Sequence, residues 1–130
     1  MGRDIDMPIR QAGAIYLKNM VCNWWSEPEE GEQPRFHIHE QDRAVIRDAL
    51  VDACVHAPNI IRAQLCVCIG YICRRDFPSR WPSLVDKICV YLQSPEVQGW
   101  PGAFAALLAM VKVGITCHGE WWLMFHVMLI

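Results

Sequence analysis

The sequence predicts an all-α fold of stacked antiparallel helix pairs, and three observations carry that reading. Apolar residues recur at three- and four-residue steps along five separate stretches, the mark of helices with one buried face. No stretch alternates apolar and polar residues with period two, so no sheet is called for. The dipeptide Ile9-Arg10 opens the first stretch as Ile61-Arg62 opens the third, and each is followed by a second amphipathic stretch. A helix pair repeated at about 40–47 residues is the pattern of HEAT and armadillo arrays. The expected fold is therefore a HEAT-type α-solenoid.

The first helix is placed over 9–24, with Ile9, Ala12, Gly13, Tyr16, Leu17, Met20, Val21 and Trp24 on one face. Pro8 sits where a helix begins, since its missing N–H would lack a partner in the first turn anyway. A second helix is placed over 40–56, with Val45, Ile46, Ala49, Leu50, Ala53 and Cys54 turned to the core and Pro58 ending it. The third, over 60–74, buries Ile61, Leu65, Cys68, Ile69 and Ile72. The fourth, over 81–93, uses Trp81, Leu84, Val85, Ile88 and Leu92. The fifth, over 102–113, is apolar nearly all round, and such a helix wants neighbours on both flanks.

At 130 residues the chain can bury one core, and its 53% hydrophobic and 20% charged residues suit a solenoid piece. A formal charge of −2 argues against nucleic acid as the ligand, because phosphate binding needs a basic surface. Glu27, Glu29, Glu30 and Glu32 fall in a loop with Pro28, Gly31 and Pro34, and read as a solvated charged loop. Of the seven cysteines, Cys54, Cys66, Cys68, Cys73 and Cys89 lie in apolar helical runs, where Cys behaves as a small hydrophobe. Their odd number, with no signal peptide ahead of them, predicts reduced thiols. Cys66-Val-Cys68 lacks the two-residue gap of a zinc knuckle and His37-Ile-His39 stands alone, so no metal or other cofactor is expected. No catalytic triad, phosphate-binding glycine loop or paired carboxylate appears, and no enzyme is predicted. The ten residues from Trp121 to Ile130 are nearly charge-free but too short to span a membrane, which takes about twenty.

Particular words in the helices say more than their periodicity. Arg10-Gln11-Ala12, Tyr16-Leu17-Lys18-Asn19 and Trp24 resemble the helix that marks the N-terminal domain of the importin-beta (karyopherin) family. The likeness continues through Glu40-Gln41-Asp42-Arg43, Ile46-Arg47, Ile61-Arg62-Ala63-Gln64-Leu65 and Asp76-Phe77-Pro78-Ser79-Arg80-Trp81-Pro82. It closes with Val85-Asp86-Lys87-Ile88 and Tyr91-Leu92-Gln93-Ser94, and the whole set resembles the importin seven/eight branch. Family members carry a helix pair ahead of the equivalent of Pro8 and many repeats beyond Val113. The resemblance thus implies a fragment: residues 1–113 from the N-terminal HEAT-repeat region, followed by a divergent hydrophobic tail over 114–130. The rival expectation is a non-functional or interfering truncated or splice product that acts only as a helical-repeat interaction module.

In that family the second helix of each pair lines the concave side, and the N-terminal inner surface binds the GTP form of the small GTPase Ran. Carried to this chain, the resemblance implies a Ran-binding face made by Arg43, Arg47, Asp48 and Asp52 of the second helix and Asp86, Lys87, Tyr91 and Gln93 of the fourth. The plain alternative is a solvated helix face with i,i+4 neighbours. Arg10, Lys18 and Asn19 are expected to be structural, with Arg10 bonding the carbonyls of an adjacent repeat. The resemblance further implies a place in cytoplasm and nucleus, with cargo and nucleoporins bound through parts absent here.

Overall fold

A computed structural model describes residues 5–116 of the chain. Among them are five α-helices and no strand: α1 Met7–Trp24, α2 Glu40–His56, α3 Asn59–Asp76, α4 Leu84–Gln93 and α5 Trp100–Thr116, the last entered through a 3-10 turn at Val97–Gly99. The helices build two rows. α1 packs on α3 and α3 on α5, while α2 and α4 form the second row, α2 against α3 and α5 and α4 against α5. Ala57 and Pro58 alone join α2 to α3, so two helices that pack together must run in opposite directions. This is the HEAT-type α-solenoid arrangement. Of the segment expected as a hydrophobic tail, everything beyond Thr116 lies outside the described residues.

Each helix boundary has a local cause. Pro8 occupies the first turn of α1, and Pro101 the first turn of α5, where a missing N–H costs nothing. Glu40 and Asp42 place negative charge on the first turn of α2, in accord with the helix dipole. α4 starts three residues later than the apolar pattern suggests. Trp81 precedes Pro82, which disfavours helical backbone at Trp81. That indole is instead buried in the turn between α3 and α4, a turn that also holds a cis peptide bond at Phe77-Pro78.

One core runs through the rows, from Val21 and Trp25 through Val51, Cys54, Leu65, Ile69 and Ile72 to Leu84, Ile88, Ala103, Ala106 and Met110. α5 comes so near α2 that a Cβ on Gly102 would lie 2.5 Å from the Val55 Cα. Only glycine permits that approach. Two expected faces are corrected. On α1, Ile9 and Tyr16 are exposed (Tyr16 68%), and the buried positions are Ala14 and Val21. On α2, Val45 is 67% exposed, Ala49 and Ala53 are also exposed, and the core takes Leu50, Val51, Cys54 and Val55 together with two arginines. α5 buries Ala103, Ala106 and Met110 on one side and leaves Phe104 and Leu108 exposed on the other.

Candidate functional site

The eight residues expected on one recognition face divide into two groups. Arg43 and Arg47 are buried, 3% and 5% exposed, and face inward. Their expected placement on an open polar surface is therefore corrected, and the reason is ionic. The Arg47 guanidinium donates through Nη1 to Asp76 Oδ2 at 2.8 Å, and through Nη2 to Glu40. Asp76 closes α3 and is 2% exposed, and its Oδ2 also accepts the Trp25 indole N–H at 3.0 Å. Arg43 donates to the Trp25 backbone carbonyl at 3.1 Å and to Glu27 at 2.9 Å, and its Nε lies 3.1 Å from Glu40 Oε2.

These contacts join the end of α1, the start of α2 and the end of α3 into one knot. Burial by itself opposes the charge on Arg47, but its hydrogen bonds to Glu40 and Asp76 more than offset that, and its pKa is raised. A buried charge is tolerated only when it is paired in this manner. Glu27, exposed at the surface, is held below the usual carboxylate range by its hydrogen bond from Arg43.

The second group lies on another side of α2, where α2 meets α4. Lys87 donates to the Asp48 backbone carbonyl and sits 3.6 Å from Asp52 Oδ2. The Tyr91 hydroxyl donates to Asp52 Oδ1, and its ring meets His56 edge-on at 6.0 Å. Burial, and then the hydrogen bond to Asp52, push the Tyr91 phenol up to about 12. Asp48, Asp86 and Gln93 are exposed around this centre, and half of the Asp52 side chain is reachable from solvent. The cluster has both signs of charge and an aromatic ring, with carboxylates still open to water. That chemistry suits recognition of a charged protein surface.

Arg62 shows what the opening dipeptide of the third helix does. It donates to the carbonyls of Cys54 at 2.9 Å, Val55 at 3.1 Å and Ala57 at 2.9 Å, capping the end of α2 from the first turn of α3. A cation at a helix C-terminus satisfies carbonyls that have no partner within the helix. The same sequence signal, Ile-Arg at a helix start, occurs again at Ile9-Arg10.

Comparison with known proteins decides the family. Residues 2–56 match the importin-beta N-terminal domain. Importin-8 of Mus musculus is 48% identical over 111 residues, which cover 83% of this chain and 11% of that protein. Importin-8 of Danio rerio is 48% identical over 115 residues, 86% of this chain and 11% of its own length. The chain belongs to the importin-beta family. Within that family of nuclear transport receptors it falls in the importin-7/8 branch. A probable importin-7 homolog of Dictyostelium discoideum is likewise 33% identical over 112 residues, 86% of this chain and 10% of that protein. The chain thus spans about a tenth of the length of the curated relatives it matches.

Neither the buried knot nor the Arg62 cap was visible as a site in the sequence. A helical pattern ranks arginine as polar and turns it to solvent. The signal that could have found the knot is Asp76, the one acidic residue in the apolar run of α3.

Proposed function

We propose that this chain serves as the part of a nuclear transport receptor that engages the GTP form of Ran, through the exposed α2/α4 face. The observation that carries the reading is the cluster of Asp48, Asp52, Lys87 and Tyr91 where α2 meets α4, flanked by exposed Asp86 and Gln93. Membership of the importin-beta family supplies the partner. The carboxylates of Asp48 and Asp52 meet basic groups of the GTPase, while Tyr91 and Gln93 offer hydrogen-bonding side chains beside them. Arg43 and Arg47 act behind this face, fixing α2 against α1 and α3. The reading places the protein in cytoplasm and nucleus, with cargo and nucleoporins as partners of further repeats.

Capture of GTP-loaded Ran by the full chain tests the assignment. Reversing Asp48 and Asp52 together to Lys should weaken capture by about tenfold or more, as expected when a close charge pair turns repulsive. Lys18→Glu, on α1 in the other row, should change it by less than about twofold on the same scale. Equal binding by both variants and the parent chain would overturn the reading, as would a folded parent chain that captures no Ran.

A further inference from the structure

Cys54 of α2 and Cys66 of α3 place their sulfur atoms 3.6 Å apart. Cys54 is wholly buried, with the Gly102 carbonyl 4.0 Å from its sulfur on the α5 side. Cys66 has a different outlook. It is half-buried, and it lines an open groove of about 640 Å³ between α3 and α5, with Val67, Gly70, Leu108 and Lys112 among its neighbours. One thiol is therefore reachable by a small solute, and the second waits directly behind it.

We propose that Cys66 and Cys54 are a peroxide-oxidisable thiol pair that closes to a reversible disulfide joining α2 to α3. In the first step the Cys66 thiolate attacks one oxygen of a hydroperoxide. The O–O bond breaks, the sulfur becomes a sulfenic acid, and hydroxide or alkoxide leaves. In the second step the Cys54 sulfur attacks the Cys66 sulfur, the S–O bond breaks, and the Cys54 proton leaves with the hydroxyl as water. Two thiols and one hydroperoxide thus give one disulfide, one water and one water or alcohol. A disulfide needs the sulfurs at about 2.05 Å, so the pair must close by roughly 1.5 Å, within reach of side-chain rotation.

The surroundings assign the two roles. Either thiol can donate in the contact between the two sulfurs, and when Cys66 is the thiolate the Cys54 thiol donates to it, which lowers the pKa of Cys66. The cations of Arg62 and Lys112 act in the same direction, against burial. The same hydrogen bond and burial raise Cys54, which keeps its proton until it resolves the sulfenic acid. Cys68 lies two residues from Cys66 but is fully enclosed, and burial pushes its thiol up to about 12. Reactivity follows thiolate character and access together, so Cys66 and not Cys68 takes the oxidant.

The test treats the full reduced chain with hydrogen peroxide, blocks remaining thiols with N-ethylmaleimide, and maps peptides without reductant. The expected product is a Cys54–Cys66 cross-link, two hydrogens lighter than the separate peptides and reversed by dithiothreitol. In Cys54→Ser the sulfenic acid at Cys66 should persist and be trapped by dimedone, while in Cys66→Ser Cys54 should stay reduced. Before oxidation, maleimide should label Cys66 at least about tenfold faster than Cys68. Oxidation of Cys22 or Cys89 at peroxide doses that leave Cys66 reduced would overturn the proposal. So would a cross-link found only in urea-unfolded chain. The mapping of the parent chain decides the matter even if a serine variant fails to fold.

Discussion

The two pairs of charged residues on α2 look alike in sequence and behave as opposites in the fold. Arg43 and Arg47 are four residues apart, as are Asp48 and Asp52, and each pair could lie along one exposed helix face. Yet 43 and 48 are separated by about 140° around a helix of 3.6 residues per turn. One pair faces the ends of α1 and α3 and is sealed with Asp76 and Trp25. The other faces α4 and remains in water, where Lys87 and Tyr91 meet it from outside. The difference teaches that spacing alone assigns a common face, while the neighbouring elements decide whether that face is sealed or left open to water. Buried charge holds the rows of the solenoid in register. Exposed charge stays open to water, and on the proposed reading it is what a partner meets.

The largest effect is expected where the charge is buried. Arg47→Ala leaves Asp76 enclosed without its cation, and breaking a buried pair costs about 3–5 kcal/mol. Urea unfolding of the full chain should show that loss. Asp76→Ala should cost a similar amount and the double variant clearly less than the sum, because the second change removes a group already stranded. Additive losses would mean that the knot is not a unit, and the comparison would fail at its stronger side.

Much of this was legible in the sequence, for a physical reason. Helix existence follows from periodicity and punctuation. α2 begins at Glu40 and ends at His56 as Pro58 and the apolar spacing indicate, and α1 and α3 differ from their expected bounds by no more than two residues. The faces were less legible. Val45 and Ala49 fit an apolar stripe on α2 but lie outside, because the stripe the fold buries is Arg43, Arg47, Leu50, Val51, Cys54 and Val55. Nothing local tells an arginine that its carboxylate will arrive from a helix ending 29 residues later. The α2/α4 cluster was legible as a set of residues, since both helices were correctly placed in one row. Its internal bonds were not, because they depend on which turn of α4 lies against which turn of α2.

Arg62 stands between the two extremes, and its variant sharpens the comparison. It is partly buried, with three main-chain carbonyls and Asn59 Oδ1 as acceptors. Removing the guanidinium leaves these part-buried carbonyls without their donor, which costs about 1–3 kcal/mol. Arg62→Ala should therefore destabilise less than Arg47→Ala and more than any change at Lys87. Lys should recover only part of the loss, since an ammonium cannot repeat the guanidinium fork. Amide exchange should quicken first in the last turn of α2, and uniform quickening across the chain would contradict a local cap.

The smallest effect belongs to the exposed pair. Lys87→Ala removes a cation 3.6 Å from Asp52 in a water-facing setting, where such pairs contribute about 0.2–1 kcal/mol. The melting midpoint should barely move, and salt should erase the difference. Tyr91 gives the same cluster an optical readout. Its phenol is raised to about 12, by burial first and then by Asp52, so the folded chain holds that proton more tightly than the unfolded chain does. The stabilising contribution is whole below the unfolded value of about 10 and is lost as pH rises through about 12. Phenolate absorbance should therefore show one late-titrating tyrosine that disappears in Tyr91→Phe and titrates earlier in Asp52→Asn. A Tyr91 that ionises near the unfolded value of about 10 would mean that the ring is not held against Asp52, and that the α2/α4 face is looser than the buried knot by more than its exposure accounts for.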